Sequence, residues 1–434
     1  MEIIYPKSAA ADVGSRKIFI ALPDGKVSNY RTFTEDLQQA VTMLKKYGIE
    51  QLAMEATGVY WIVFYALLEQ AGIEVHVVNP RTIKHVPGRK SDVQDCQWIQ
   101  QLFSVGLLRK SFVPDESIRD IRSLIRLRGD HLEMAATHIN HIQKSLTLMN
   151  IRLHEVISQI HGVSGTKVVK AIIRGERDPE KLMLLCDSRI IKKKKEEVLA
   201  SLKGNYNEVH LFALKQAFEG YNFYQQQIKE VDSVLEKHLR EISKDDEQNY
   251  LDKKGKPIRH NKPSIEKLHS KMLAIFKGND LTTLPGFTDY NLLQMLGEIG
   301  MSINPWPTEK HFTSWLGLAP GMNQSGKQNK RSKSGRNTRA GQIFRESAQT
   351  IMNSKKIGLG SFARRLKARK GPRIAIKATA RKLAQIFYRI LKKGIDYVET
   401  GLVTYEKKEA ENQMKILKSK MIKLQLQLAN LQSV

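Results

Sequence analysis

The sequence predicts an α/β domain at the amino terminus, followed by a chain that is almost entirely helical. Short β-rich runs alternate with helical patterns over the first 110 or so residues, whereas the later segments are long, charged and free of strand signals. The 434 residues contain 41% hydrophobic and 26% charged side chains. These are values of a globular chain, large enough for about two or three domains.

Strands and helices follow one another in the first part. Strands are predicted at 17–22, 52–55 and 74–78, and helices at about 34–47 and 60–71. The first strand ends at Pro23-Asp24-Gly25, a turn signal. Ser91 then precedes another helix, with Gln94 three positions on, which is a capping-box arrangement. This alternation indicates a sheet with helices packed on it.

The middle of the chain is predicted to be helical. Residues 117–156 and 209–242 have the pattern of antiparallel helices or a coiled coil, and the run Lys192–Lys195 between them is expected on a solvated helix face or against nucleic acid. Residues 244–264 are polar and contain two prolines, which predicts a linker or loop. The predicted divisions are 1–110, 111–272, 273–400 and 401–434.

Charge is very unevenly distributed along the chain. The formal net charge is +27, and residues 310–395 hold 22 basic residues against one acid, Glu346. A phosphate backbone supplies the counter-charge that such a field needs, although a basic face that only aids solubility is the alternative. No apolar run approaches the ~18 residues that span a bilayer, so we expect no membrane partner and a cytoplasmic protein. Two cysteines cannot build a disulfide framework.

Residues 401–434 predict a helix that self-associates. Apolar residues recur in alternating steps of three and four, which is the a/d pattern of a coiled coil over about three heptads. The alternative is a helix packed on its own domain. The positions are Met414, Leu417, Met421, Leu424, Leu428 and Leu431.

Four carboxylates are candidates for a metal site. Asp12 lies in the apolar stretch AAADVG, Glu55 ends a predicted strand, and Asp92 and Asp95 share one face at the start of a helix. Each alone has a structural explanation, in a turn or at a helix dipole. Together they can converge at one edge of a small sheet, where like charges tolerate each other only around cations. Oxygen ligands of this kind select Mg²⁺ or Mn²⁺, which predicts metal-assisted phosphoryl transfer.

A serine in a basic loop is the second chemical candidate. Ser325 precedes Gly326, and a nucleophile that attacks phosphate needs positive charge around the developing phosphorane. The alternative is a flexible loop whose serines only touch phosphates, for which Ser332 and Ser334 are equally eligible. Seven basic residues follow without an acid between them: Lys327, Lys330, Arg331, Lys333, Arg336, Arg339 and Arg345.

Several motifs in the same order resemble one family of insertion-sequence transposases. Asp12, the segment MEATGVYW with Glu55, and NPRTIKHVPGRKSDVQD with Asp92 and Asp95 resemble the family's amino-terminal DEDD, RuvC-like domain. The segments LTTLPGFTDYNLLQMLGEIG and FTSWLGLAPGMNQSGK resemble its second domain, and FARRLKARKGPRIAIKATARKLAQIFYRILKKG resembles the tail of one branch. The family comprises the RNA-guided "bridge" recombinases, DEDD transposases with a carboxy-terminal serine domain.

The resemblance implies more than the residues alone. It implies a ribonuclease H-like fold that binds Mg²⁺ through Asp12, Glu55, Asp92 and Asp95, and a serine, Ser325, that links covalently to cleaved DNA. It implies donor and target DNA and a guide (bridge) RNA as partners in a bacterial or archaeal cell, at the nucleoid. It also implies a dimer or tetramer whose active sites combine domains of different protomers. The long region 117–272 and the carboxy-terminal seam depart from the shortest family members.

Two rival functions remain open at this stage. The first is a metal-dependent junction-resolving nuclease in which Ser325 only contacts phosphate, and the second is a non-catalytic nucleic-acid binder derived from a dead element. All five candidate residues are intact, which argues against decay. The LPGF segment also resembles a helix–hairpin–helix that offers backbone N–H groups to a phosphate, although a Pro-Gly turn between helices is a common structural feature.

Overall fold

A computed structural model shows a chain of two compact units, Met1–Val113 and Pro114–Val434. The structure describes residues 2–56, 58–79, 91–243, 247–250, 255–320, 323–325, 328–330, 337–355, 357–394 and 402–432. Each unit is built around its own core. The first is a mixed α/β sheet domain and the second is largely helical, as the sequence predicts.

The first unit contains a five-stranded sheet in the order β3-β2-β1-β4-β5. β2 is antiparallel to both β1 and β3, whereas β4 runs parallel to β1 and β5 runs parallel to β4. The structure confirms the three predicted strands and adds β1 and β3. The strands are β1 (Ser8–Val13), β2 (Lys17–Ala21), β3 (Val27–Arg31), β4 (Gln51–Glu55) and β5 (Glu74–Val78), and the helices are α1 (Thr34–Lys46), α2 (Trp61–Gln70) and α3 (Asp92–Ser104).

The two faces of this sheet are covered by different helices. Because successive side chains of a strand point to opposite faces, Ala9, Ala11 and Val13 of β1 pack into the core with α1 and α2. Ala10 faces the other way, with Ala53 of β4, and packs against α3. Every second position of β1 and β4 therefore looks toward α3, which decides where their acidic residues point.

The second unit begins with two long helices that pack against each other, α4 (Glu116–Leu148) and α9 (Glu208–Ser243). A buried ion pair joins them: Arg128 Nε donates to Asp232 Oδ1 over 2.6 Å, and both side chains are 1% exposed. Asp232 Oδ2 also accepts from the backbone N–H of Ser264, which lies in the polar segment predicted as a linker. Residues 255–264 contain no helix or strand, and these hydrogen bonds fix their backbone to the helix pair.

Four shorter helices sit between α4 and α9 and share an apolar core with their adjoining ends. The predicted helix at 117–156 divides here, because Asn150 adopts a positive φ of 59° that breaks the helical path. Lys192–Lys195 lies on an exposed helix face, as expected. The helices are α5 (Leu153–Val156), α6 (Val163–Ile173), α7 (Pro179–Met183) and α8 (Ser188–Ser201).

The remainder of the second unit is a helical bundle around an aromatic core. Phe312, Phe344 and Phe387 are fully buried and contact one another with ring centroids 5.4–6.3 Å apart. A short hairpin, β6 (Asn323–Ser325) and β7 (Gln328–Lys330), interrupts the helices. The helices are α10 (Leu268–Ile275), α11 (Asp289–Ile299), α12 (Glu309–Trp315), α13 (Arg339–Met352), α14 (Gly358–Lys370) and α15 (Pro372–Lys393).

The last helix, α16 (Leu402–Gln432), carries the predicted heptad seam. Its described seam residues, Met414, Leu417, Met421, Leu424 and Leu428, are 55–64% exposed. These side chains therefore do not pack on their own domain, and Leu431 lies outside the described side chains. None of the helices in the described ranges is long and apolar enough to cross a membrane.

Candidate active site

Asp12 and Glu55 lie at the carboxyl ends of two adjacent parallel strands. Ala10 of β1 is paired in register with Ala53 of β4, and each acid stands two residues further along its strand. Because side chains alternate, both acids point to the face that carries α3. Asp12 is therefore the penultimate residue of a strand, and the alternative that it closes a turn is wrong.

The other two acids begin the helix that covers this face. Asp92 and Asp95 lie in the first turn of α3, and the Ser91 side chain caps the helix by accepting from the Gln94 backbone N–H over 3.4 Å. This confirms the predicted cap. A helix amino terminus carries partial positive charge, which favours acidic side chains there.

Cys96 and Gln100 dock α3 on the sheet. The Cys96 thiol donates to the Ala10 carbonyl over 3.3 Å and to the Phe19 carbonyl over 3.1 Å, and Gln100 Nε2 donates to the Ser8 carbonyl. Cys96 is fully buried, which raises the pKa of its thiol to about 12 and keeps it protonated as a donor. Sequence reasoning missed both residues. Their spacing of four and eight from Asp92 is the available signal, because it places all three on one helix face.

The pKa of Asp12 shows that the four acids interact electrostatically. This pKa is raised to about 6, first by burial and then by the charges of Glu55, Asp92 and Asp95, in that order. A carboxyl group surrounded by like charges binds its proton more tightly, because ionisation adds to the repulsion. The structure thus places all four predicted acids in one electrostatic environment.

An oxygen-only set of carboxylates fits a hard divalent cation, which relieves this repulsion. In the part of the chain that the structure describes, no three such side chains already stand at ligand distance from one point. Asp12, Glu55, Asp92 and Asp95 are therefore close enough to interact electrostatically without forming a closed ligand set. Each is the residue type that Mg²⁺ or Mn²⁺ prefers, and burial, followed by the charges of the other three acids, raises the pKa of Asp12.

Ser325 lies at the turn end of the hairpin in the second unit. Its backbone pairs with Gln328 across the two short antiparallel strands. Positions 326 and 327 connect these strands and lie outside the described residues, as do Ser332 and Ser334. The structure describes the backbone of Ser325 but not its side chain, so its role as a nucleophile stays a prediction.

The segment that carries the hairpin is closed at its base. Thr338 caps α13 by accepting from the Gly341 N–H over 2.9 Å, and its hydroxyl donates to the Leu316 carbonyl over 3.0 Å. Gly341 lacks room for a side chain, because a Cβ there would lie 2.1 Å from the same carbonyl oxygen. Leu316, after which the chain leaves the bundle, and Thr338, at which it returns, therefore lie side by side.

Only part of the predicted basic set can be located. Arg339 begins α13 and is exposed, and Arg345 is half-buried less than two turns further on. Lys330 is described by its backbone alone. The other four, Lys327, Arg331, Lys333 and Arg336, lie outside the described residues.

The LPGF segment forms a tight turn before α11. Gly286 adopts a positive φ of 79°, and its carbonyl accepts from the Ser347 hydroxyl of α13 over 3.1 Å. A Cβ at Gly286 would lie 2.9 Å from the Ser347 carbonyl oxygen. The glycine is thus required for packing, which supports the structural interpretation of this turn.

Comparison with known families points to enzymes that act on DNA. A family model of DEDD transposases matches residues 9–151, which include the sheet, α3 and α4. A second model, described as the transposase IS116/IS110/IS902 family, matches residues 278–359, which include the serine hairpin. No curated protein matches the chain significantly.

The two matches support a transposase function for this chain, that of an enzyme that acts on DNA. The first match covers the acids and the second covers Ser325. Together they support a transposase of the IS110 family.

Proposed function

We propose that the protein is an RNA-guided recombinase of an insertion sequence, which cuts and exchanges DNA strands through a covalent link to Ser325. The matches over residues 9–151 and 278–359 support the transposase function. The observation that carries its metal-dependent chemistry is that Glu55, Asp92 and Asp95 act on Asp12, whose pKa is raised by burial and by these charges. The strand order β3-β2-β1-β4-β5, with three antiparallel strands followed by two parallel ones, supports a ribonuclease H-like fold for this unit.

The acids would hold Mg²⁺ or Mn²⁺ at the carboxyl edge of β1 and β4. A cation held there would supply positive charge to phosphate oxygens of the DNA. Asp12 and Glu55 would be presented by the rigid sheet, and Asp92 and Asp95 by α3, whose position is set by Cys96. Holding ligands on regular elements limits their movement, which is what a precise metal site needs.

Ser325 would supply the nucleophile. Its Oγ loses its proton and attacks a backbone phosphorus, a phosphorus–oxygen bond to the serine forms, and the bond to the deoxyribose oxygen breaks as that oxygen takes up a proton. Rejoining reverses these steps with the hydroxyl of another strand, so the number of phosphodiester bonds is conserved. The predicted contacts Lys327, Lys330, Arg331, Lys333, Arg336, Arg339 and Arg345 would stabilise charge on the transferring phosphate.

The assembly would contain donor and target DNA, a guide RNA and two or four copies of the chain. The exposed heptad residues of α16 support self-association. The guide RNA rests on the family resemblance and on the positive charge of residues 310–395. We also propose the four-part division at 110, 272 and 400 and a site of action at the chromosome.

The test is to trap DNA cleavage midway and denature the products. We expect wild-type protein to yield a DNA–protein species that survives denaturation, Ser325→Ala to yield none, and Ser332→Ala, as the matched control, to yield it normally. Asp12→Asn should abolish cleavage while the protein still folds, because it removes an anion from a repulsive cluster.

Two outcomes contradict the proposal. Normal recombination by Ser325→Ala, or attachment that moves to Ser332 or Ser334, would eliminate the serine assignment and favour a metal-dependent nuclease. Cleavage that does not depend on the RNA transcribed beside the gene would eliminate RNA guidance.

A further inference from the structure

A cleft of about 390 Å³ opens between α13 and α15 in the second unit. Its walls come from α13, from the amino-terminal part of α15 and from the two ends of the segment that carries the serine hairpin. The residues that matter here are Gly317, Asn337, Gln342, Arg345, Arg373 and Lys377. Gly317 and Asn337 mark where that segment leaves and rejoins the bundle, so the cleft lies at the base of the hairpin segment.

Positive charge dominates this cleft. Arg345 and Lys377 are half-buried in it, and Arg373 stands at its exposed rim. Burial lowers the pKa of Lys377, and the charge of Arg345 lowers it further. Burial also lowers the pKa of Arg345. Two cations that repel each other in a partly dry site indicate a missing anion.

The one carboxylate among the described residues of the wall, Glu346, makes no direct hydrogen bond to Arg345, although its charge raises the pKa of Arg345 against the lowering effect of burial. Gln342 separates it from Arg345: the Gln342 amide nitrogen donates to Glu346 over 3.1 Å, while its oxygen accepts from Arg345 Nε over 3.0 Å. Arg345 Nη2 is buried and has no hydrogen-bond partner among the described residues. Within the same ranges, no ion pair holds Arg373 or Lys377.

A buried donor without a partner costs free energy, and such groups in native proteins usually await a ligand or water. Arginine offers a planar fork that matches two phosphate oxygens, and lysine adds a point charge. The amino terminus of α15, a helix of 22 residues, adds partial positive charge beside Arg373. A tetrahedral dianion or a phosphodiester satisfies this combination, whereas a planar apolar ligand does not.

We propose that Arg345, Arg373 and Lys377 form a pocket for one backbone phosphate of DNA, next to the segment that carries Ser325. The pocket would anchor a phosphate that is not cut, and so set the register of the strand at the serine hairpin. This inference relies on the proposed function only for the identity of the ligand as DNA. Of the three cations, only Arg345 belongs to the predicted basic set. Arg373 and Lys377 are brought beside it by the packing of α15 on α13.

The experiment compares two lysine variants of the full chain in binding a DNA duplex at several salt concentrations. Each phosphate contact adds about 0.9 to the slope of log affinity against log salt. We expect Lys377→Met to reduce the slope by about 0.9. Lys45→Met on the exposed face of α1 removes the same charge outside the basic stretch 310–395, and we expect it to leave the slope unchanged.

Arg373→Met tests the same pocket from its exposed rim, where a substitution does not disturb the core. It should reduce the slope of log affinity against log salt by the same amount. Melting curves establish that each variant is folded. All measurements are repeated in a Ser325→Ala background. If Lys377→Met and Arg373→Met reduce the salt slope in this background as they do in the wild-type background, the pocket is supported even if no covalent DNA–protein species is ever trapped.

Three results would overturn the inference. Equal slopes for Lys377→Met and Lys45→Met would show that the cleft holds no phosphate of the duplex. A loss confined to RNA binding would assign the pocket to RNA. Thermal stabilisation by millimolar inorganic phosphate that depends on Lys377, with unchanged DNA slopes, would assign it to a small anion.

Discussion

At the scale of single residues, Asp12 is a carboxyl group whose position disfavours its ionised form. The sheet buries it partly, and three other acids surround it, so its pKa of about 6 lies well above the usual 3.8. Between these two pH values the folded chain binds the proton more tightly than the unfolded chain does. The ionised carboxylate therefore destabilises the fold increasingly as pH rises from about 4 to about 6, and by a constant amount above that.

Replacing Asp12 with Asn should stabilise the metal-free protein at pH 7. A shift of about two pH units corresponds to nearly 3 kcal/mol at full effect, and solvent screening of this partly exposed group reduces the expected gain to about 1 kcal/mol. The gain should vanish near pH 4, where the carboxyl group is protonated in the folded state. Melting in a chelating buffer at both pH values measures it.

The control is Asp24→Asn, in an exposed turn. There the backbone N–H of Lys26, followed by the Lys26 side chain, lowers the pKa of the aspartate. The sign is opposite, so this variant should not gain stability at pH 7. Equal behaviour of the two variants would contradict the electrostatic account of the acid cluster.

At the scale of elements, helix packing around the hairpin segment depends on backbone contact. Gly341 lies in the first turn of α13, where a Cβ would collide with the Leu316 carbonyl, whereas a Cβ at Gly129 inside α4 would meet no atom within 4 Å. Alanine at a helical glycine usually stabilises, because it restricts the unfolded chain. The two sites should therefore respond with opposite signs.

We expect Gly129→Ala to raise the free energy of unfolding by about 1 kcal/mol. Gly341→Ala should lower it by roughly 1–3 kcal/mol, because α13 must move away from Leu316. Urea denaturation measures both changes. A stabilising Gly341→Ala would mean that α13 does not approach the Leu316 carbonyl as closely as the structure has it.

At the scale of the whole molecule, α16 leaves its apolar seam open to solvent. Five described seam residues are more than half exposed, and such a stripe is typical of a surface that another copy of the same helix covers. We expect Leu417→Glu combined with Leu424→Glu to lower the molecular mass in light scattering to that of a smaller assembly. Charges placed in a coiled-coil seam are buried without partners.

The matched control is Lys415→Glu combined with Ser419→Glu, which introduces the same residue type outside the seam. This pair should leave the mass unchanged. A wild-type protein that is monomeric at micromolar concentration, or equal effects of the two pairs, would show that the seam does not drive assembly.

The sequence by itself determined the elements and the kinds of chemistry. Short β-rich runs placed three strands within one or two residues of their observed bounds, and helical spacing predicted both long helices, because these patterns depend on neighbours along the chain. Residue types alone also identified the acids as candidate ligands for a hard cation. The sequence did not predict strands β1 and β3, because β1 is rich in alanine and β3 is short and polar, and neither shows a clear strand pattern.

Only the tertiary structure decided which residues meet. The parallel register of β1 and β4 puts Asp12 and Glu55 on one face, and Cys96 sets α3 against them; no local pattern contains that pairing. The same holds for Arg345 and Lys377, which are 32 positions apart and share a cleft because α13 and α15 pack together. Burial lowers the pKa of both groups, and the charge of Arg345 lowers that of Lys377 further. Both effects depend on distance in space, which a linear sequence does not specify.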